Sequence, residues 1–204
     1  MTRIITILIS LISFNIALAQ SEENKAYYLT GELNLGNYIG IDVNLNYVFN
    51  EQYSFKVGYT GNIREPRSQP ADYTMGLTEI LLFGFGDPYD HLENYQLGFG
   101  KIYKLNDSGT IRANISLGVG YTTIKEPGNW VRIDDQFLTA NYSWSYHKYN
   151  TISLIINPKI EFPVTRFFGL TASPMLQVNK GSTYIGIGFG TMIGLLRNKE
   201  NTQQ

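Results

Sequence analysis

Residues 39–49 read IGIDVNLNYVF, residues 50–52 read NEQ, and residues 53–61 read YSFKVGYTG. In the first run Ile39, Ile41, Val43, Leu45, Tyr47 and Phe49 alternate with Gly40, Asp42, Asn44, Asn46 and Val48. In the second, Tyr53, Phe55, Val57 and Tyr59 alternate with Ser54, Lys56, Gly58 and Thr60. Successive side chains of a strand point to opposite faces, so each run has one apolar and one largely polar face, and together they read as a hairpin. A soluble sandwich uses the same alternation. Here the runs are about ten residues long with bulky aromatics at their ends, the pattern of strands that cross a bilayer between two aromatic girdles.

Towards the N-terminus, Met1 to Ala19 reads as a cleaved secretory signal: Arg3 is the basic region, Ile4 to Ile16 the apolar stretch, and Ala17-Leu18-Ala19 the small-residue cleavage site. The barrel domain then covers residues 20–197, and residues 198–204 form a polar tail. Cysteine is absent, so neither disulfides nor thiolate metal sites are available, and the fold must close by other means. A barrel does so by sealing its own edges. The formal net charge of −1 leaves no electrostatic footprint for nucleic acid. High tyrosine and glycine content, 15 and 20 residues, with 16% charged residues suits an all-β chain with an aromatic belt.

The period of two continues along the chain. A first strand covers Tyr27 to Leu35, and the quoted hairpin supplies the second and third. A fourth runs from Tyr95 to Leu105, where Lys101 breaks the alternation and either turns inward at a bulge or snorkels. The fifth alternates from Ile111 to Tyr121, and the sixth, Thr151 to Phe162, contains Pro158, where weak pairing is expected. A seventh contains Pro174, and the eighth is YIGIGFGTMIGLL from Tyr184. Two long connections remain. Residues 63–94 contain Pro66 and Pro70 and an apolar segment, Thr78 to Phe85, that reads as a helical turn packed on the barrel mouth. Residues 125–150 open on Pro127-Gly128 and are rich in Trp and Tyr, with room for strand extensions.

With the N-terminus periplasmic, the turns at residues 50–52, 106–109 and 164–166 are periplasmic and short, and both long segments fall outside, as barrels of this class require. The fold class is therefore all-β: an eight-stranded antiparallel up-and-down transmembrane β-barrel with two long extracellular loops. Tyr47, Phe49, Tyr53, Phe55, Phe162 and Phe168 are expected at the periplasmic rim; Tyr38, Tyr59, Tyr95, Tyr121, Tyr149 and Tyr184 at the outer rim. Glu32, Asp42, Lys56, Arg112, Lys159 and Glu161 take lumen parity. Charges withdrawn from bulk water need partners, so these six should form a structural ion network, with Arg112 reaching the Glu32 and Asp42 wall. Glycines of the last strand leave room for it.

From Tyr27 to Arg197 the chain resembles the small outer-membrane β-barrels, the OmpX-like and OmpA N-domain-like group, on the signal, the eight amphipathic strands and the motif Gly186-Ile187-Gly188-Phe189-Gly190. The resemblance implies the outer membrane of a Gram-negative bacterium after Sec-type export. It also implies lipid and lipopolysaccharide around the wall, insertion by the barrel-assembly machinery, and a monomer. Members usually end on an aromatic residue, whereas this last strand ends Leu195-Leu196-Arg197.

The leading functional expectation is a structural, adhesive or surface-interaction barrel that binds through its outer loops, since loops on a rigid scaffold carry function. A narrow channel or small-ligand conduit is the second reading. A lipid-modifying enzyme is the third: it would need a general base, for which His91 and His147 are the candidates, with Ser143, Ser145 and Asp134-Asp135 near His147 in sequence. A loop histidine among tyrosines reads better as solvated, and the chain is taken as a non-enzyme. A soluble lipocalin-like barrel, apolar within, is the remaining alternative. The pairs Asp134-Asp135 and Asp87 with Asp90 match no calcium-loop spacing, so no metal and no cofactor are expected.

Overall fold

The computed structural model describes residues 25–77, 81, 87–133 and 138–197. The signal (1–19), the residues that follow it to Asn24, the tail (198–204), nearly all of the apolar stretch 78–85 and the pair Asp134-Asp135 lie outside the described residues. Eight strands follow one another: β1 (Lys25–Gly36), β2 (Ile39–Phe49), β3 (Tyr53–Arg64), β4 (Asp90–Lys104), β5 (Arg112–Arg132), β6 (Tyr142–Phe162), β7 (Phe168–Val178) and β8 (Thr183–Leu195). Each pairs antiparallel with the next, and β8 returns to β1 to close the barrel.

Local chemistry sets the hairpins. In the turn after β2, Gln52 N donates to Phe49 O at 3.2 Å. Asn50 and Glu51 between them have φ of 52° and 53°. Two successive positive φ angles define the turn whose twist matches that of the flanking strands. The two mid-strand prolines face one another. The β6–β7 register runs from Leu154↔Val178 to Ile156↔Leu176 and resumes at Ile160↔Ala172, which puts Pro158 opposite Pro174 in the gap. Neither can donate to the ladder, so their alignment confines the loss to one place. The side chain of Asn157 covers part of it, its Nδ2 donating to Pro174 O at 3.1 Å.

The wall is apolar outside and polar inside. Leu33, Leu45, Leu97, Leu117, Leu154 and Ile193 are exposed, whereas Thr30, Asn44, Thr60, Asn94, Ser153 and Gln177 are wholly buried. This is the reverse of a lipocalin-like interior and the polarity of a membrane-spanning barrel. Lys101 does not break the alternation: it faces outward, with its Nζ 5.3 Å from the centre of the Tyr103 ring. At the short-turn end, the rings of Tyr27, Tyr47, Phe49, Tyr53 and Phe99 follow one another at 4.8, 5.9, 5.4 and 5.9 Å.

The other rim differs from expectation. Tyr59 and Tyr95 lie against each other outside, with ring centres 5.2 Å apart. Tyr38 and Tyr184 instead point inward, 2% and 0% exposed. They join Leu92, Ile124, Ile155 and Met175 in an apolar plug at the long-loop end of the lumen. Ala26, Tyr28, Val48, Ile102, Met192 and Leu196 form a second plug at the short-turn end. The polar interior is thus capped at both ends.

The long connections also differ. The one between β3 and β4 covers residues 65–89, but the one between β5 and β6 covers only 133–141, because both strands run on through most of the supposed loop.

Candidate functional site

The six lumenal charges are all buried. Lys159 Nζ lies 2.8 Å from Glu32 Oε1. Thr171 and Ser173 each donate to the same carboxylate at 2.6 Å. A Cβ on Gly188 would lie 3.0 Å from Glu32 Oε2, so this β8 glycine makes room for the acid. Arg112 meets Glu161 rather than Glu32 and Asp42, because the register sets Arg112 directly opposite Glu161. Tyr28 Oη donates to that carboxylate at 2.8 Å, and Asn114 Nδ2 at 3.2 Å. Asp42 is held by neutral donors: Asn44, Thr60 and Gln96, each at 2.8 Å. Lys56 donates to Asn157 Oδ1 at 2.7 Å, across the bare Cα of Gly98. Two ion pairs and two charges held by neutral groups therefore sit between the plugs. The two apolar clusters lie at either end of these charges.

The second candidate stands above the barrel. β4 pairs with β5 only as far as His91↔Lys125, and β7 with β6 only as far as Leu154↔Val178. Beyond those points β5 and β6 continue as a two-stranded ribbon, from Glu126↔His147 to Arg132↔Tyr142, with a bulge between Gly128 and Val131. Asn129 lies in the bulge with φ of 52°. A lone two-stranded ribbon is marginal in water. This one is braced by residues 68–74 of the β3–β4 connection. Trp130 Nε1 donates to Ser68 Oγ at 3.2 Å, and Ser68 Oγ donates to Pro127 O at 2.7 Å. Asp72 accepts from Arg132 at 3.1 Å and from Tyr142 at 2.8 Å. Asn141 takes Thr74 N at 2.8 Å and gives its amide to Asp72 O at 2.7 Å. The Asp72 carboxylate holds the Tyr142 phenol above its usual range, since a donated hydrogen bond favours the protonated form.

Rings fill the joint. Trp130 has its centre 5.9 Å from Tyr73, 5.7 Å from Trp144 and 6.3 Å from Tyr142. Tyr146 continues the row and meets His91 edge-on at 5.8 Å. Burial and the neighbouring Lys125 push the His91 imidazole below its usual range. Near the tip Val131, Ile133 and Leu138 are exposed.

The other sequence candidates fall on or beside this ribbon. Ser145 and His147 lie on the same face, where the Asn129 amide donates to Ser145 Oγ at 2.9 Å and lies 3.4 Å from His147 Nε2. Ser143 turns to Val131 O at 3.5 Å. Glu126, opposite His147, accepts from Tyr149 at 3.4 Å. The arrangement joins serine and histidine through an amide and, among the described residues, brings no carboxylate onto the imidazole. Asp90 is taken by Arg64, at 2.8 Å, and Asp87 accepts from Tyr89 at 3.4 Å. The strand extensions for which the sequence left room are present, although Pro127-Gly128 looks like a loop opening. The signal that was present is the alternation of Tyr142, Trp144 and Tyr146 with Ser143, Ser145 and His147.

A closed ring of eight consecutive antiparallel strands, polar within and apolar without, is now established. The chain has the fold of the small eight-stranded outer-membrane barrels. The structure of Ail, the attachment invasion locus protein of Yersinia pestis, superposes with a TM-score of 0.51 at 12% identity, covering 86% of this chain and all of that one, 100%. Ail in complex with the heparin analogue sucrose octasulfate gives 0.50 over the same shares, 86% and 100%, at 12% identity. The N-terminal barrel of Pseudomonas aeruginosa OprF gives 0.46 at 13% identity, covering 85% and 98%. No protein-family model matches the sequence, and no curated protein sequence matches it. At such identities the likeness is one of fold.

Proposed function

We propose that this chain is an outer-membrane protein of a Gram-negative bacterium with an adhesive or surface-interaction role. It would engage its partner through the β5–β6 ribbon and the braced β3–β4 connection, which rise from the outer end. The observation that carries this reading is the ribbon: rings and apolar side chains held in fixed positions above the membrane by a second chain segment. Exposed apolar and aromatic surface on a rigid support is the usual mark of a binding face. Ail, named for attachment and crystallised with a heparin analogue, makes sulfated carbohydrate a reasonable first probe. Lipid and lipopolysaccharide would surround the apolar wall, and the barrel-assembly machinery would insert it as a monomer.

The conduit reading has a polar interior in its favour and two apolar plugs against it. The chain is read as a non-enzyme.

The test displays the barrel on a non-adherent Gram-negative host. Attachment to heparin-coated and extracellular-matrix-coated surfaces is then scored. Cells bearing the protein should attach, and Trp130→Ala with Trp144→Ala and Tyr146→Ala should cut attachment about tenfold at equal surface expression. Wild-type attachment no better than that of empty cells would sink the proposal.

A further inference from the structure

Several cations at the rims of the barrel have a carboxylate partner. At the long-loop end the cations Arg64, Lys125 and Arg132 are paired with Asp90, Glu93 and Asp72, at 2.8, 2.6 and 3.1 Å. At the short-turn end Lys104 pairs with Glu51 at 2.6 Å. Arg166 and Arg197, by contrast, meet no carboxylate among the described residues, and the Nε of each is covered without an acceptor.

These two arginines sit on adjoining segments. Leu196 N donates to Arg166 O at 2.8 Å, and Gly194 N to Phe167 O at 3.0 Å, which ties the end of β8 to the β6–β7 turn. Arg197 crosses to that turn, its Nη2 donating to Val164 O at 3.3 Å. The Arg166 guanidinium lies 5.2 Å from the centre of the Phe167 ring. The turn is also unusual for one surrounded by water: Val164 is 59% and Phe167 56% exposed. Apolar side chains beside unpaired guanidinium groups suit the boundary of a bilayer, where acyl chains meet phosphate.

We propose that the β6–β7 turn and the end of β8 form a headgroup site for an anionic phospholipid of the leaflet at the short-turn end. Arg166 and Arg197 donate to the phosphodiester oxygens, a pairing for which the guanidinium fork is suited. Val164 and Phe167 lie against the glycerol and the first methylenes. Lys101, outward on β4 above the Tyr103 ring, makes a weaker contact elsewhere on the same rim. The site rests on the reading of the chain as a membrane-spanning barrel.

The experiment refolds the barrel in detergent, checks each variant for a heat-dependent gel shift, and counts retained lipid by native mass spectrometry. Dioleoylphosphatidylglycerol competes with dioleoylphosphatidylcholine. The wild type should retain phosphatidylglycerol preferentially, and excess inorganic phosphate should not displace it. Arg166→Gln and Arg197→Gln should each lower the preference about fivefold, and the pair by more than tenfold. Arg166→Lys with Arg197→Lys should fall between. Lys148→Gln with Lys180→Gln, equal in charge but at the other end, should leave it unchanged. Unchanged preference in the double arginine variant, an equal loss in the lysine control, or displacement by inorganic phosphate would overturn the site. A wild-type chain with no gel shift would instead strike at the membrane reading itself.

Discussion

Lys159 and Glu32 show what a single buried charge is worth here. Both lie between the plugs, 2.8 Å apart, with Thr171 and Ser173 completing the carboxylate's shell. Removing one partner strands the other away from water, at a cost of about 3–5 kcal/mol. Lys159→Met alone should therefore lower the urea midpoint of the refolded barrel sharply, and adding Glu32→Gln should restore most of the loss. Equal midpoints for the single and double variants would show that the pair is not coupled. His91 gives a second test, beyond the tyrosine girdle of Tyr59 and Tyr95 at the long-loop end. Burial and Lys125 depress its affinity for protons, against the raising pull of Glu93 and Asp90. The unfolded chain then binds the proton more readily. Its contribution to stability is complete above the ordinary imidazole pKa and is lost as pH falls through the lower folded value. Nuclear magnetic resonance in nanodiscs should find the midpoint below the ordinary value, and Lys125→Gln should raise it. That Glu32 and Lys159 share the polar face was legible from parity, and the glycines and charges on that face marked it as the inner one. Which acid meets which base was not: Arg112 finds Glu161 because strand register sets them opposite, and register between β5 and β6 is a property of the folded pair.

The β5–β6 ribbon depends on contacts from elsewhere in the chain. Asn141 alone joins it to residues 72–74 by three hydrogen bonds. Asn141→Ala should loosen the brace by about 1–3 kcal/mol without touching the wall. Limited proteolysis should then nick residues 65–77 many times faster, while the heat-dependent gel shift stays intact. If cleavage is no faster, the brace is not what holds the connection. The strands within the bilayer were readable because one face meets hydrocarbon and the other does not, which forces strict alternation. Above the bilayer both faces of β6 from Ser145 to Asn150 are exposed. No burial imposes a pattern there, so the sequence left room for strand extensions without setting their length or register, and the ladder continues through Pro127↔Tyr146.

The barrel as a unit should be closed to ions. Each end of the polar lumen carries its own apolar plug, so opening one leaves the other in place. Planar bilayers containing the wild type should show no conductance steps. Leu92→Ala with Ile124→Ala should remain silent as well, because Tyr28, Ile102 and Met192 still fill the opposite end. Steady steps from the wild type would revive the conduit. Composition, the period of two and the spacing of turns were enough to define eight strands, their closure and the polarity of the wall. All three follow from one local demand, that alternate side chains meet different solvents and that backbone groups in hydrocarbon leave no open edge. The cluster that Tyr38 and Tyr184 join, the facing of Pro158 and Pro174, the partners of each lumenal charge and the braced ribbon depend on which residues register brings together across the barrel. Parity places a side chain on a face; only the assembled sheet decides what stands opposite it.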